Sequence, residues 1–80
     1  MEEITFHAVS KWYKKEFEKV GWVLISGNID KITDYLKHLE HLKNHLLNKI
    51  QETKDYDKKR DLRIMLQKTE KLIALVSSML

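Results

Sequence analysis

The sequence contains no cysteine and no proline, and only two of its 80 residues are glycine. Without cysteine the chain can form neither a disulfide nor a thiolate metal site, which suits a reducing cytoplasm. Without proline, helix is favoured nearly everywhere, so Gly21 and Gly27 become informative positions. With 42% hydrophobic and 34% charged residues, the composition is that of a globular protein.

Long apolar runs and catalytic motifs are also missing. The longest apolar run, residues 22–25, is far shorter than the ~18–20 residues that a membrane-spanning helix needs. The chain opens with Met1, Glu2 and Glu3, whereas a secretory signal would open with basic residues. No nucleophile elbow, phosphate-binding glycine loop or dinucleotide fingerprint occurs. We therefore expect one cytoplasmic domain over residues 1–80, with no enzymatic activity and no cofactor.

The first part of the chain has the periodicity of a helix. Apolar residues recur at steps of three and four within residues 5–20, namely at Phe6, Val9, Tyr13, Phe17 and Val20. Thr5 is the expected N-cap, and Gly21 is expected to end or sharply bend the helix. Residues 22–26 are then predicted to form a separate short turn of helix between the two glycines.

Two further stripes of apolar residues along the chain predict two more helices. Gly27 is the expected C-cap and Asn28 the next N-cap, and the second helix runs to about Glu52. A turn is expected near residues 53–55, with Asp55 or Asp57 capping a third helix. The alternative is one continuous helix over residues 28–80, about 80 Å long, whose apolar stripe would lack partners in a monomer. The expected fold is all-α: a small antiparallel bundle of three main helices and one short helix.

Charge is distributed unevenly along the chain. Residues 1–53 contain as many acids as cations, and the whole net charge of +3 falls within residues 54–80. Four cations lie together at the expected start of the third helix: Lys58, Lys59, Arg60 and Arg63. Such a cluster on an otherwise balanced protein favours an anionic partner such as nucleic acid. The alternative is a solvated turn in which Asp55, Asp57 and Asp61 neutralise these cations.

A second basic surface is predicted on the first helix, where cations surround an aromatic residue, Trp12. Its lysines are Lys11, Lys14 and Lys15. Aromatic side chains among cations are typical of surfaces on which the bases of single-stranded nucleic acid stack. Tyr13 lies on the apolar stripe and Trp22 lies in an apolar run, so both are assigned to the core. Trp12 is therefore predicted to be the exposed aromatic residue.

Three histidines lie on the second helix. His38, His41 and His45 fall within about 60° of one another, well away from the apolar stripe. His41 and His45 have the i, i+4 spacing that can chelate a divalent ion, but a zinc site would need further ligands. We expect exposed histidines on a polar flank and no metal site.

Four short motifs carry a resemblance to a known family. They are Lys11-Trp12-Tyr13, Phe17-Glu18-Lys19-Val20-Gly21-Trp22, Asp30-Lys31-Ile32 and Asp57-Lys58-Lys59-Arg60-Asp61-Leu62. With these motifs nearly the whole chain resembles the small proteins encoded at the end of the UvsW recombination helicase gene of T-even bacteriophages, which have relatives in large DNA viruses. The resemblance implies a bundle of four short helices similar to the HRDC module, an auxiliary DNA-binding domain of RecQ-type helicases. It also implies a location in the host cytoplasm.

We therefore predict a non-catalytic accessory module of phage DNA recombination and repair. It would weakly bind branched or single-stranded DNA, a UvsW-type helicase, or both. Charge and exposure, rather than the resemblance, assign the DNA contacts to Lys58, Lys59, Arg60, Arg63, Lys11, Lys14, Lys15 and Trp12. The alternative is a helical protein–protein adaptor with no affinity for nucleic acid. A monomer is expected, with self-association through the apolar C-terminal end as a third hypothesis.

Overall fold

A computed structural model describes residues 6–80 of the chain, and over this range it contains three helices and no strand. The helices are α1 (Phe6–Ser26), α2 (Ile29–Glu52) and α3 (Tyr56–Ser77). The predicted all-α class and the three main helices are confirmed. The N-cap predicted at Thr5 lies outside the described residues, and so does the side chain of Phe6, whose burial was predicted.

The first helix is longer than predicted. α1 continues through Gly21 to Ser26, so the predicted end at Gly21 and the separate short helix over residues 22–26 are both wrong. A glycine inside a helix costs only about 1 kcal/mol relative to alanine. That cost is offset here because Val20 is buried and Val23 and Leu24 pack against the same core. The described residues therefore form three helices rather than the four that the resemblance implied.

The turn between α1 and α2 has the predicted caps. Gly27 adopts φ 66°, and its N–H donates to the Leu24 carbonyl oxygen at 3.2 Å. A left-handed residue at this position is the usual end of a helix, and glycine adopts it without steric cost. The side chain of Asn28 then accepts hydrogen bonds from the N–H groups of Asp30 and Lys31, which start α2.

The chain folds back a second time at residues 53–55. The N–H of Thr53 donates to the Lys49 carbonyl oxygen at 3.0 Å and closes α2. The Asp55 side chain accepts hydrogen bonds from the N–H groups of Asp57 and Lys58, so Asp55, not Asp57, is the N-cap of α3. The alternative of one continuous helix is wrong, and the described residues fit within 41 × 21 × 21 Å.

The core lies along the axis of the bundle, and α2 and α3 share its largest interface. One cluster of buried residues joins the three helices: Val20, Ile32, Leu39, Leu72 and Val76. Because Val20 near the end of α1 meets Leu72 and Val76 near the end of α3, these two helices run in the same direction, and α2 runs opposite to both.

A buried polar contact links α1 to α2. Glu16 is only 6% exposed, and its carboxylate accepts a hydrogen bond from the hydroxyl of Tyr35. Lys19, three residues further along α1, lies 3.5 Å from the other carboxylate oxygen. Burial raises the pKa of the Tyr35 hydroxyl above its ordinary value of 10, and the hydrogen bond to Glu16 and its negative charge raise it further. The tyrosine therefore stays protonated and holds the carboxylate in place.

Candidate nucleic-acid interface

The four cations at the start of α3 do not all face one way. Successive helical residues point about 100° apart, so a run of cations fans out around the axis. Lys59, Arg60 and Arg63 fall within about 100° on one side of α3, where the two arginines are exposed and Lys59 is half-buried. Lys58 is also exposed, but it lies about 40° around the axis from the buried Leu62, on the side of α3 that carries the core residues. The structure thus groups three of the four predicted residues into one surface, which we call the α3 basic face.

The aspartates neutralise this cluster only in part. Asp61 turns inward and is 9% exposed, with its Oδ1 3.6 Å from the Nε of Arg60. Within residues 6–80 that oxygen accepts no hydrogen bond. Asp55 caps the helix, and Asp57 is exposed beside it. Arg60 therefore has one aspartate neighbour beneath it, while 58% of its own side chain remains exposed on the outward side.

The α3 basic face extends further along the helix than the sequence cluster. Lys71 is exposed and lies eleven positions after Arg60, about 20° around the axis and about 16 Å along it. Arg63 is also exposed, and the stripe between them contains the uncharged Gln67 and one acid, Glu70. Sequence reasoning missed Lys71 because it looked for neighbours in the chain rather than neighbours on the helix surface.

On α1 the predicted lysines are exposed, but the predicted aromatic partner is wrong. Lys11, Lys14 and Lys15 all lie on the outer side of α1. Trp12 is half-buried and packs against the core cluster. Trp12 points only about 20° away from Val23, which faces the same core, because eleven residues nearly complete three turns. It therefore lies beside the lysine surface rather than on it.

The exposed tryptophan is Trp22, which was assigned to the core and is 74% exposed. Trp22 lies two positions after the buried Val20, and this spacing turns its side chain about 160° away from that of Val20 and the core. Seven positions after Lys15, Trp22 lies on the same outer side of α1. Ile25 and Ile29 beside the turn are 78% and 69% exposed, so Trp22 and these two isoleucines form an outer apolar patch.

Phe17 is the other aromatic residue that the structure places differently. It was predicted to be in the core but is 54% exposed, at the edge of a groove beside α1. The groove has a volume of about 420 Å³ and is lined by Tyr13, Lys14, Phe17 and Glu18. Lys68 of α3 does not line the groove but contacts one of its residues, with its Nζ 4.4 Å from the centre of the Tyr13 ring. The groove is therefore a feature of the α1 surface, on the side where Tyr13 meets α3.

The histidine prediction of an exposed polar flank is confirmed. His38, His41 and His45 are all exposed on α2, and the ring of His38 lies 5.9 Å from that of Tyr35. Among residues 6–80, no three acidic or histidine side chains are placed to hold a metal ion together. No helix in the same range has the length and apolar character to cross a membrane.

Comparisons with protein-family models, with curated proteins and with solved structures give no match to this chain.

Proposed function

We propose that the chain is a non-catalytic accessory module that binds nucleic acid weakly through the α3 basic face, Lys59, Arg60 and Arg63. The observation that carries this proposal is the inward turn of Asp61 beneath an outward Arg60. Asp61 pairs with Arg60 only from beneath, at 3.6 Å from its Nε, so the outward part of the Arg60 side chain and the exposed Arg63 can meet phosphates. Guanidinium groups favour phosphate because they can form two parallel hydrogen bonds to it.

The resemblance to the phage family supports the finer part of the proposal. The ligand is branched or single-stranded DNA of recombination and repair, and a UvsW-type helicase is the protein partner. An HRDC-like role, in which a small helical bundle adds DNA affinity to a helicase, suits a surface of few cations. Three phosphate contacts give a weak complex whose affinity falls with salt, with a slope of log K against log salt of about −2 to −3.

The test is a titration of the ¹⁵N-labelled protein with a DNA fork, a single strand and a duplex at low salt. We expect shifts at the amides of the α3 basic face. The double variant Arg60→Glu/Arg63→Glu should weaken binding at least ten-fold. Its matched control, Lys31→Glu/Lys37→Glu, reverses two exposed cations on α2 and should retain most of the affinity. Equal losses in both double variants would show that only net charge matters, and an absence of shifts with all three DNAs would refute the proposal.

A second candidate, a protein adaptor, is favoured by the outer apolar patch of Trp22, Ile25 and Ile29. A largely exposed tryptophan beside two exposed isoleucines is typical of a protein contact, since tryptophan is enriched among residues that dominate binding energy. The same labelled protein titrated with purified helicase separates the two candidates. The adaptor predicts binding that is insensitive to salt and lost in Trp22→Ala but retained in Arg60→Glu/Arg63→Glu.

A further inference from the structure

The groove on α1 faces α3 through Tyr13 and shares only Lys14 with the lysine surface of α1. The order of side chains around the bundle begins on the outer side of α1 with Lys14, Phe17 and Tyr13. It continues on α3 with Lys68, Lys71 and Arg60. We propose that this groove binds single-stranded nucleic acid, with one base stacked on Phe17 and the flanking phosphates on Lys14 and Lys68. The proposal rests on the nucleic-acid function above and names the strand type and the contact that it adds.

The exposed ring of Phe17 supplies the stacking surface. A phenylalanine that is 54% exposed on a bundle with a thin core gains little from packing, and its free face opens onto the groove. The Tyr13 ring lies 6.2 Å from it, tilted by 41°, and forms the inner wall. A base has two apolar faces and a polar edge, so one face can cover Phe17 while the edge remains in water. This contact is independent of base identity because every base presents a π-face.

Charge around the groove favours a polyanion as the occupant rather than an apolar helix. Lys14 lines the α1 side, and Lys68 is held over Tyr13 on the α3 side. Lys71 lies three positions beyond Lys68, about 60° around α3 and further outward. Against these three cations the groove has one acid of its own, Glu18. The balance is positive, and the cations lie on both sides of the ring, where the phosphates before and after a stacked base would lie.

The groove is also continuous with the α3 basic face. Lys71 lies almost in line with Arg60 along α3, so a strand leaving the groove across Lys68 and Lys71 can reach the arginines by passing the half-buried Ile64. A duplex cannot make the same contact, because its bases are paired and stacked internally. The groove therefore predicts a preference for single strands that the α3 basic face alone does not provide.

The test measures binding of a fluorescein-labelled dT15 strand and of a 15-base-pair duplex by anisotropy at low salt. For Phe17→Leu we expect at least a five-fold loss of affinity for dT15, because base stacking on an aromatic ring is lost, with duplex affinity changed less than two-fold. Phe17→Tyr keeps an aromatic face and should retain wild-type affinity. Trp22→Leu removes a more exposed ring on the outer side of α1 and should change neither value.

The outcomes separate this inference from the proposed function. If Phe17→Leu binds dT15 as wild type does, while Arg60→Glu/Arg63→Glu does not bind, the groove proposal is wrong and the nucleic-acid function stands. If neither DNA binds to the wild-type protein, both are wrong. Equal losses for dT15 and duplex in Phe17→Leu, with a lowered melting temperature, would indicate a structural role for the ring and would also overturn the proposal.

Discussion

At the scale of single residues, the two glycines have opposite roles although only six positions separate them. Gly27 ends α1 with φ 66°, a conformation that costs an ordinary residue roughly 1–2 kcal/mol. Gly21 lies within α1 in ordinary helical conformation, and a Cβ atom added there would meet no atom within 4 Å. The first glycine to occur in the chain is therefore dispensable, and the second is required by its turn.

Substituting each glycine with alanine should consequently change stability in opposite directions. Gly21→Ala removes backbone freedom from the unfolded chain and should raise the free energy of unfolding by about 0.5–1 kcal/mol. Gly27→Ala forces a Cβ into the left-handed region and should lower it by about 1 kcal/mol. In thermal melts this amounts to shifts of about 4–8 °C per kcal/mol for a domain of this size. Shifts of the same sign in both variants would contradict this assignment.

The tryptophans show what residue-level reasoning could and could not obtain from the sequence. Treating residues 22–25 as one apolar run placed Trp22 in the core. A helix of 3.6 residues per turn can direct only part of such a run inward, and here Val23 and Leu24 take those positions. Continuing the periodicity of α1 through Gly21 would have placed both Trp12 and Trp22 correctly. The signal was present, but the glycine was given too much weight.

At the scale of elements, the start of α3 combines a structural and a binding role. Asp55 caps the helix by accepting hydrogen bonds at 2.9 Å from the N–H of Asp57 and at 3.2 Å from that of Lys58. Asp57 is exposed in the first turn, and its side chain has no part in the cap. These two acids have the same charge and lie two positions apart at the start of α3, so they can separate capping from electrostatics.

The matched variants Asp55→Ala and Asp57→Ala should differ in stability but not in DNA affinity. Asp55→Ala should cost about 1 kcal/mol, because two N–H groups lose their acceptor. Asp57→Ala loses only a favourable charge near the helix dipole, and should cost a few tenths of a kcal/mol. Each removes one negative charge beside the cations, so both should strengthen DNA binding to a similar extent. Urea unfolding measures the stability of each variant, and titration with a DNA fork measures its affinity. An equal loss of stability in Asp55→Ala and Asp57→Ala would show that the cap contributes nothing specific.

Element boundaries were predictable wherever a capping side chain coincided with a gap in the apolar stripe. Asn28 and the polar stretch before Tyr56 both meet this condition, and the structure has its turns there. The basic face was less predictable, because its membership depends on direction around the axis as well as proximity in the chain. That is why Lys58 separates from Arg60, and why Lys68 and Lys71 were not anticipated.

At the scale of the whole molecule, the hydrogen bond from Tyr35 to Glu16 strengthens a weak junction. α1 packs less extensively against α2 than against α3, and this contact joins residues 19 positions apart. Periodicity within one helix cannot reveal such a pairing. It could only have indicated that Glu16, seven residues after Val9 and four before Val20, falls on the buried side of α1. A carboxylate on a core stripe requires a donor, and the three-dimensional packing supplies it.

Replacing Tyr35 with phenylalanine should therefore destabilise the bundle near neutral pH. The carboxylate of Glu16 remains buried but loses its hydroxyl donor, and the expected cost is about 1–3 kcal/mol. Tyr56→Phe is the matched control, because Tyr56 is 75% exposed at the start of α3. It should change the free energy of unfolding by only a few tenths of a kcal/mol.

The Tyr35→Phe variant also gives a prediction for alkaline pH. Because the pKa of Tyr35 is raised in the folded state, the unfolded chain releases this proton first as the pH rises above the ordinary value of 10. The contribution of Tyr35 to stability is thus complete below pH 10 and declines above it, by at most about 1.4 kcal/mol per pH unit. The stability difference between wild type and Tyr35→Phe should accordingly shrink between pH 10 and 11.5 in urea unfolding. A Tyr35→Phe difference that is constant across this interval would mean that the buried carboxylate of Glu16 is held by its neighbours without help from the tyrosine proton.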